Sequence, residues 1–281
     1  WLAYASLVTP GDEVVVEAPG YEPLTRAAEG AGAVVRTFER RADEGFRVIP
    51  ERVAAAVTPR TRVVAVTNLH NPTGVRIDDA TIRELALVCE ARGAHLLVDE
   101  VYAPFDALAD DGVFHGSARK LAPNVVTTGS LTKCYGLGMH RIGWLLAPED
   151  VIERAQAASI ATYGHLSLPH ANLAAAAFGA LPALSKRART IAGKKRAIAE
   201  SWLAKHPVEW SAPREGIFGL VTVPGAGDLQ RRIEEIAERT GVLVAAASFF
   251  GVPNGFRLSW ATCDAPTFSA ALEKLTPLFA R

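Results

Sequence analysis

Three cysteines, Cys89, Cys134 and Cys263, are all that this 281-residue chain carries. They show no metal spacing and cannot all pair within the chain, which argues against a disulfide scaffold or a cysteine-built metal centre and points to a reducing, cytoplasmic setting. Net charge is absent as well. Lys plus Arg number 30 and Asp plus Glu number 30, so neither nucleic acid nor an anionic membrane is an expected partner. The densest basic run, Lys186-Arg187-Ala188-Arg189 and then Lys194-Lys195-Arg196, lies in an Ala-rich helical stretch and reads as a solvated helix face. No run of about 18 apolar residues occurs, because Gly179 and Pro182 break the Ala-rich stretch from Ala171, and no membrane-spanning helix is expected. Repeats and low-complexity linkers are missing, and no basic segment precedes an apolar one in the manner of a signal peptide.

What the chain does have is a series of short β-branched runs, each closed by a polar cluster. Arg62-Val-Val-Ala-Val-Thr67 leads into Asn71-Pro72-Thr73-Gly74, and His95-Leu-Leu-Val98 leads into Asp99-Glu100-Val101-Tyr102. Asn124-Val-Val-Thr127 leads into Thr128-Gly-Ser130-Leu-Thr-Lys133, with Arg141 eight residues beyond Lys133. Apolar runs separated by helical stretches read as buried parallel strands. Ligands of open parallel sheets sit beyond the carboxyl ends of the strands. An amide, a carboxylate with a phenol, and a lysine with a hydroxyl are thereby delivered to one place.

Further strands are expected at 14–17, 33–38 and 142–146, and helices at about 21–31 and 49–57. A helix beginning at Asp78-Asp79 is expected to carry Ile82, Leu85, Leu87, Val88 and Ala91. From Pro148 to about His206 the pattern is helical. Beyond it come strand 217–223, helix 228–240, strands 242–246 and 256–260, and helix 266–279. The fold class is therefore α/β, a mostly parallel sheet sandwiched by helices, followed by a smaller C-terminal α+β domain. The expected division is 1–187 and 188–281.

In their order and spacing, six segments resemble the class I/II aminotransferases among the fold-type I pyridoxal-phosphate enzymes. They are Tyr21 in Ala-Pro-Gly-Tyr, His70-Asn-Pro-Thr-Gly74, Asp99-Glu-Val-Tyr102, Ser130-Leu-Thr-Lys133, Arg141, and Gly255-Phe-Arg257-Leu-Ser-Trp260. The resemblance implies pyridoxal 5'-phosphate as cofactor, an L-amino acid and a 2-oxo acid as substrates, and a homodimer. It also implies that an N-terminal arm and a Gly-Ser/Thr phosphate loop precede Trp1-Leu-Ala-Tyr-Ala-Ser-Leu-Val8, so the chain is expected to lack the front of the family fold.

Residue by residue, the resemblance makes Lys133 the amine that binds the cofactor aldehyde and later serves as general base. Asp99 would meet the pyridinium N–H, which keeps that nitrogen charged. An unpartnered carboxylate at the end of an apolar strand is costly, and a helix N-cap or metal ligand is the competing use of this residue. Asp99 and Tyr102 are three apart, so the chain must turn after Asp99 for both to reach one ring. Asn71 and Tyr102 would bond the phenolic oxygen, and Ser130 and Arg141 the phosphate. Tyr21 would stack on the ring, unless it is a core tyrosine. Arg257 would hold the substrate carboxylate with Asn71 beside it, unless a structural salt bridge takes it. His70 reads as structural, and Cys134 has no base to make it a nucleophile.

Departures from the family pattern fall in Val242-Leu-Val-Ala-Ala-Ala-Ser-Phe-Phe-Gly251, with Ala in place of Pro-Gly, and in Glu215-Gly216-Ile217-Phe218, with one Gly instead of two. Phe218, Phe249, Phe250 and Trp260 suggest an apolar mouth, or core packing. Other activities use the same residues: a β-lyase, racemase or decarboxylase of this fold, or the effector domain of a transcription regulator. Gly136-Leu-Gly138 does not complete a dinucleotide fingerprint, since position 141 is Arg. Ser130-Leu-Thr-Lys133 lacks the Lys-Thr-Gly element a penicillin-binding acyl enzyme needs.

Overall fold

A computed structural model describes residues 1–105, 114–211 and 216–279. The first part of the chain runs α1 (Leu2–Leu7), β1 (Glu13–Ala18), α2 (Glu22–Gly30), β2 (Val34–Glu39), α3 (Pro50–Ala56), β3 (Thr61–Thr67), α4 (Asp79–Glu90), β4 (His95–Asp99), β5 (Val125–Ser130) and β6 (Gly143–Leu146). These six strands form one sheet in the order β2-β1-β3-β4-β5-β6. All neighbours are parallel except β5 and β6, which pair antiparallel from Thr127↔Leu146 to Ser130↔Gly143.

Alternation along the strands divides the apolar side chains between two faces. Val15, Val64, Val66, Leu96 and Val98 pack with Val53 of α3 and with Ile82 and Leu85 of α4. Val14, Val16, Val63, Ala65 and Leu97 pack on the other face with Tyr4, Ala28 and Val151. Because both faces are covered, the central strands are continuous apolar runs, and burying each Val or Leu fully is worth roughly 1.5–3 kcal/mol. On α4, Asp78 is the N-cap and accepts from the Thr81 amide at 2.8 Å. The buried face of that helix is Ile82, Leu85, Ala86 and Cys89. Leu87 is 63% exposed, because 82, 85, 86 and 89 share one helical face and 87 lies off it.

The rest of the chain runs α5 (Glu149–Thr162), α6 (Leu168–Gly179), α7 (Leu181–Leu203), β7 (Glu209–Ser211), β8 (Phe218–Thr222), α8 (Gln230–Thr240), β9 (Ala245–Ala246), β10 (Gly255–Ser259) and α9 (Ala265–Leu275). A second, antiparallel sheet has the order β7-β8-β10-β9. The sequence reading missed β7 and made β9 too long: only Ala245 and Ala246 pair with β10, and Leu243 is 73% exposed. Helices α7, α8 and α9 cover this sheet through Trp202, Ile233, Ile236, Phe268 and Leu272. The same apolar cluster reaches Leu131 and Ile142 at the end of the large sheet. The expected boundary at 187/188 falls inside α7. The result is an α/β fold with a mostly parallel six-stranded sheet and a small antiparallel C-terminal sheet.

Candidate active site

Asp99 is the last residue of β4, and the chain turns at once into a short 3₁₀ segment, Ala103–Phe105. The turn expected from the spacing is therefore present. Asp99 Oδ1 accepts from the Val101 amide at 3.1 Å. Burial holds its carboxyl above the usual range; the Val101 amide and the Thr128 hydroxyl oppose that shift. Among the described residues no side-chain cation lies within ion-pair distance of Asp99.

Four other predicted residues converge beside it. Lys133 Nζ lies 5.9 Å from the centre of the Tyr102 ring. The Tyr102 ring meets Phe218 edge-on, 4.7 Å between centres at 81°. The Arg257 guanidinium lies 5.0 Å from the Phe218 ring and 5.3 Å from the Phe250 ring, and its Nη1 donates to Asn71 Oδ1 at 2.6 Å. Arg257 Nε is buried without a hydrogen-bond partner. Loss of water around the amine, then the positive charges of Arg257 and Arg141, hold Lys133 below the ordinary lysine range. Lys133 thus senses both arginines. Burial pushes the Tyr102 phenol up to about 12. Tyr21 flanks the N-terminus of α2 and is 39% exposed.

Ser130, Thr132 and Arg141 line a cavity of about 850 Å³, together with Thr128 and Gly129. Gly129 is required there: a Cβ would stand 2.4 Å from the Trp144 ring. Arg141 takes a left-handed backbone, φ 52°, where the chain turns back into β6. Ser130 Oγ donates to the Ile142 carbonyl at 3.2 Å, accepts from the Thr132 amide at 3.0 Å, and lies 2.7 Å from Thr132 Oγ1. Its hydroxyl therefore also builds the turn, and Thr132 joins it on the cavity wall.

The aromatic residues expected at an apolar mouth or in the core divide between the two. Phe218 and Phe250 flank Arg257, whereas Trp260 is 1% exposed and packs near Trp210, so core packing explains it. Phe249 is 53% exposed. Glu17 at the end of β1 and Arg40 just after β2 form a fully buried pair at 2.7 Å. A charged residue closing a valine run was the available signal for Glu17; nothing local marks its partner. His70 is buried and bonds Thr73 Oγ1 at 2.6 Å and the Pro19 carbonyl at 2.9 Å. Burial and Arg40 keep it well below the usual histidine range, neutral and structural. The Cys134 thiol bonds the Val101 carbonyl and is pushed well up by burial, which suits a packed thiol and not a nucleophile. Glu215, in the segment with one glycine, lies outside the described residues. No group of His, Cys, Asp and Glu among the described residues could hold a metal ion.

The donors fit a phosphorylated pyridine aldehyde. A buried carboxylate without a cationic side chain suits a ring N–H, an amine of lowered basicity suits the aldehyde, and the Arg141 cavity suits the phosphate.

Known proteins agree with that chemistry. The profile of aminotransferase class I and II matches residues 2–275. Arginine–pyruvate transaminase of Pseudomonas aeruginosa is 32% identical over 87% of this chain, which spans 63% of that protein's length. Capreomycidine synthase of Streptomyces vinaceus is 31% identical over 98% of the chain and 70% of its own length. A pyridoxal-phosphate-dependent aminotransferase from Streptococcus suis superimposes over the whole chain and 74% of its own, with a TM-score of 0.89 at 25% identity. With a profile match that runs through every strand end of the site, this chain belongs to the class I and II aminotransferases, fold-type I proteins whose cofactor is pyridoxal phosphate.

Proposed function

We propose that the chain moves an amino group between an L-amino acid and a 2-oxo acid. The observation that carries this reading is Arg257. Its guanidinium is clamped by Asn71 and two phenylalanine rings, has no carboxylate within ion-pair distance among the described residues, and influences the amine of Lys133. A half-buried cation so placed calls for an anionic ligand next to a nucleophilic amine.

Bound pyridoxal phosphate supplies an electron sink for charge developing at the substrate Cα. Lys133 Nζ would hold the cofactor's aldehyde carbon and, as a free amine, would move the proton at the substrate Cα. Positioned proton transfer of this kind is worth about 10²–10⁴ in rate. Asp99 keeps a proton on the ring nitrogen, while Tyr102 and Asn71 bond the phenolic oxygen. Ser130 and Arg141 hold the phosphate and Tyr21 covers the ring. Arg257 and Asn71 orient the substrate carboxylate. In this reading residues 1–187 carry the cofactor and 188–281 bring Arg257 to it, in a cytoplasmic homodimer.

The likeness to capreomycidine synthase, a relative not named as a transaminase, favours one other outcome, a reaction on the same residues other than amino transfer. One titration separates the two. Transamination makes the visible band of the loaded protein bleach with an amino acid and return with a 2-oxo acid. Bleaching that no 2-oxo acid reverses would assign a lyase, decarboxylase or cyclase instead.

A further inference from the structure

Beneath the Asn71 turn lies a run of buried polar contacts that no role above uses. Arg40 Nη1 donates to Glu17 Oε2 at 2.7 Å, and Arg40 Nε donates to the Phe46 carbonyl at 2.6 Å. The other carboxylate oxygen, Glu17 Oε1, accepts from both the amide (2.8 Å) and the hydroxyl (2.5 Å) of Thr67. With its proton given to Glu17, Thr67 Oγ1 accepts the Asn71 amide at 2.9 Å. Asn71 Oδ1 in turn accepts from Arg257 at 2.6 Å. Every donor in this run has one acceptor, so its direction is fixed from Arg257 to Asn71 and from Arg40 and Thr67 to Glu17.

Two features say that this run does more than hold the sheet together. The register of β1 with β3 ends at Val16↔Ala65, so the Glu17 carboxylate takes the Thr67 amide where the ladder has stopped. The Arg40–Glu17 pair is also a poor stabiliser as built. Both side chains are at most 1% exposed and Arg40 Nη2 is buried with no partner. Apolar residues of similar volume would serve stability as well or better. Such a pair specifies geometry.

We propose that Arg40, Glu17 and Thr67 are positioning residues that set the Asn71 turn and, through the Asn71 side chain, the orientation of the Arg257 guanidinium toward the substrate carboxylate. The Thr67 hydroxyl is the junction, since it bonds both Glu17 and the Asn71 amide. The role of Arg257 rests on the function proposed above; the geometric linkage does not.

Two arms test it, each on Thr67→Val, Thr67→Ser and wild type, with thermal melting as the check on folding. The first uses the protein without cofactor and ¹⁵N-labelled arginine, the Arg257 signals being assigned by their loss in Arg257→Lys. Held by Asn71, the two Arg257 Nη groups give separate signals in wild type and Thr67→Ser and merge in Thr67→Val. The second follows the visible band of the loaded protein against pH. Weakened donation from Asn71 moves its midpoint up by about half to one pH unit in Thr67→Val, the scale of one hydrogen bond, and Thr67→Ser returns it. Should Thr67→Val not fold, Thr67→Ala removes the same hydroxyl and carries the same expectation. A folded Thr67→Val or Thr67→Ala with separate Arg257 signals and a wild-type midpoint would overturn the relay. A wild type without a lysine-dependent band would overturn the functional reading instead, while the first arm still reads the linkage.

Discussion

Two carboxylates stand at the carboxyl ends of strands on either side of β3, and burial pushes both upward in pKa. Glu17 on β1 has a guanidinium at 2.7 Å and two donors from Thr67. Asp99 on β4 has one amide at 3.1 Å and a threonine hydroxyl, with no side-chain cation in reach among the described residues. The first carries its counter-charge within the fold. The second, in the function proposed above, receives one from the cofactor ring. A charge buried with its partner fixes architecture, and a charge buried without one marks a ligand.

Breaking Glu17 tests the first half of this contrast with the largest expected effect. Glu17→Gln leaves the Arg40 guanidinium buried and uncompensated and lowers unfolding stability by about 3–5 kcal/mol, read from the urea midpoint. Replacing the pair together, Glu17→Leu with Arg40→Met, recovers most of that loss. Stability equal to wild type in Glu17→Gln would remove the pair from the architecture.

Asp99 responds in the opposite sense. Asp99→Asn removes a charge that the folded chain holds at a cost, so the melting temperature stays or rises while turnover falls about a hundredfold or more. The pH profile sharpens the point. With its carboxyl held above the ordinary value, the folded chain binds a proton that the unfolded chain does not, so the Asp99 contribution to stability grows as pH falls through the raised pKa. Asp99→Asn flattens that part of the profile. A fall in melting temperature with unchanged turnover would make Asp99 a structural residue.

The smaller effect concerns the second sheet, where Arg257 also lacks an anion among the described residues. Arg257→Lys keeps the charge but loses the fork that Asn71 and a carboxylate share, and weakens amino-acid binding by about 1.5–3 kcal/mol. Spectral titration with an amino acid measures it. Unchanged affinity would take Arg257 out of the substrate site.

The contrast also explains what could be read from the chain. Asp99, Lys133 and Asn71 each close an apolar run, so strand periodicity marked them before their neighbours were known. The Arg40–Glu17 pair spans 23 residues, the Glu17–Thr67 contact 50, and the Arg257–Asn71 contact 186. No local pattern encodes such pairings, and Arg40 looks like any charged residue after an edge strand. Strand β7 escaped because three residues hold too little alternation. The resemblance named the residues proposed to meet the cofactor. It did not reach the contacts that hold them.

The first measurement to make is the visible spectrum of the protein after adding pyridoxal phosphate and removing the excess, beside Lys133→Ala. A retained visible band in wild type and none in the variant is the expected result. The same band in Lys133→Ala, or no band in wild type, would contradict a lysine-bound cofactor at the ends of β4 and β5.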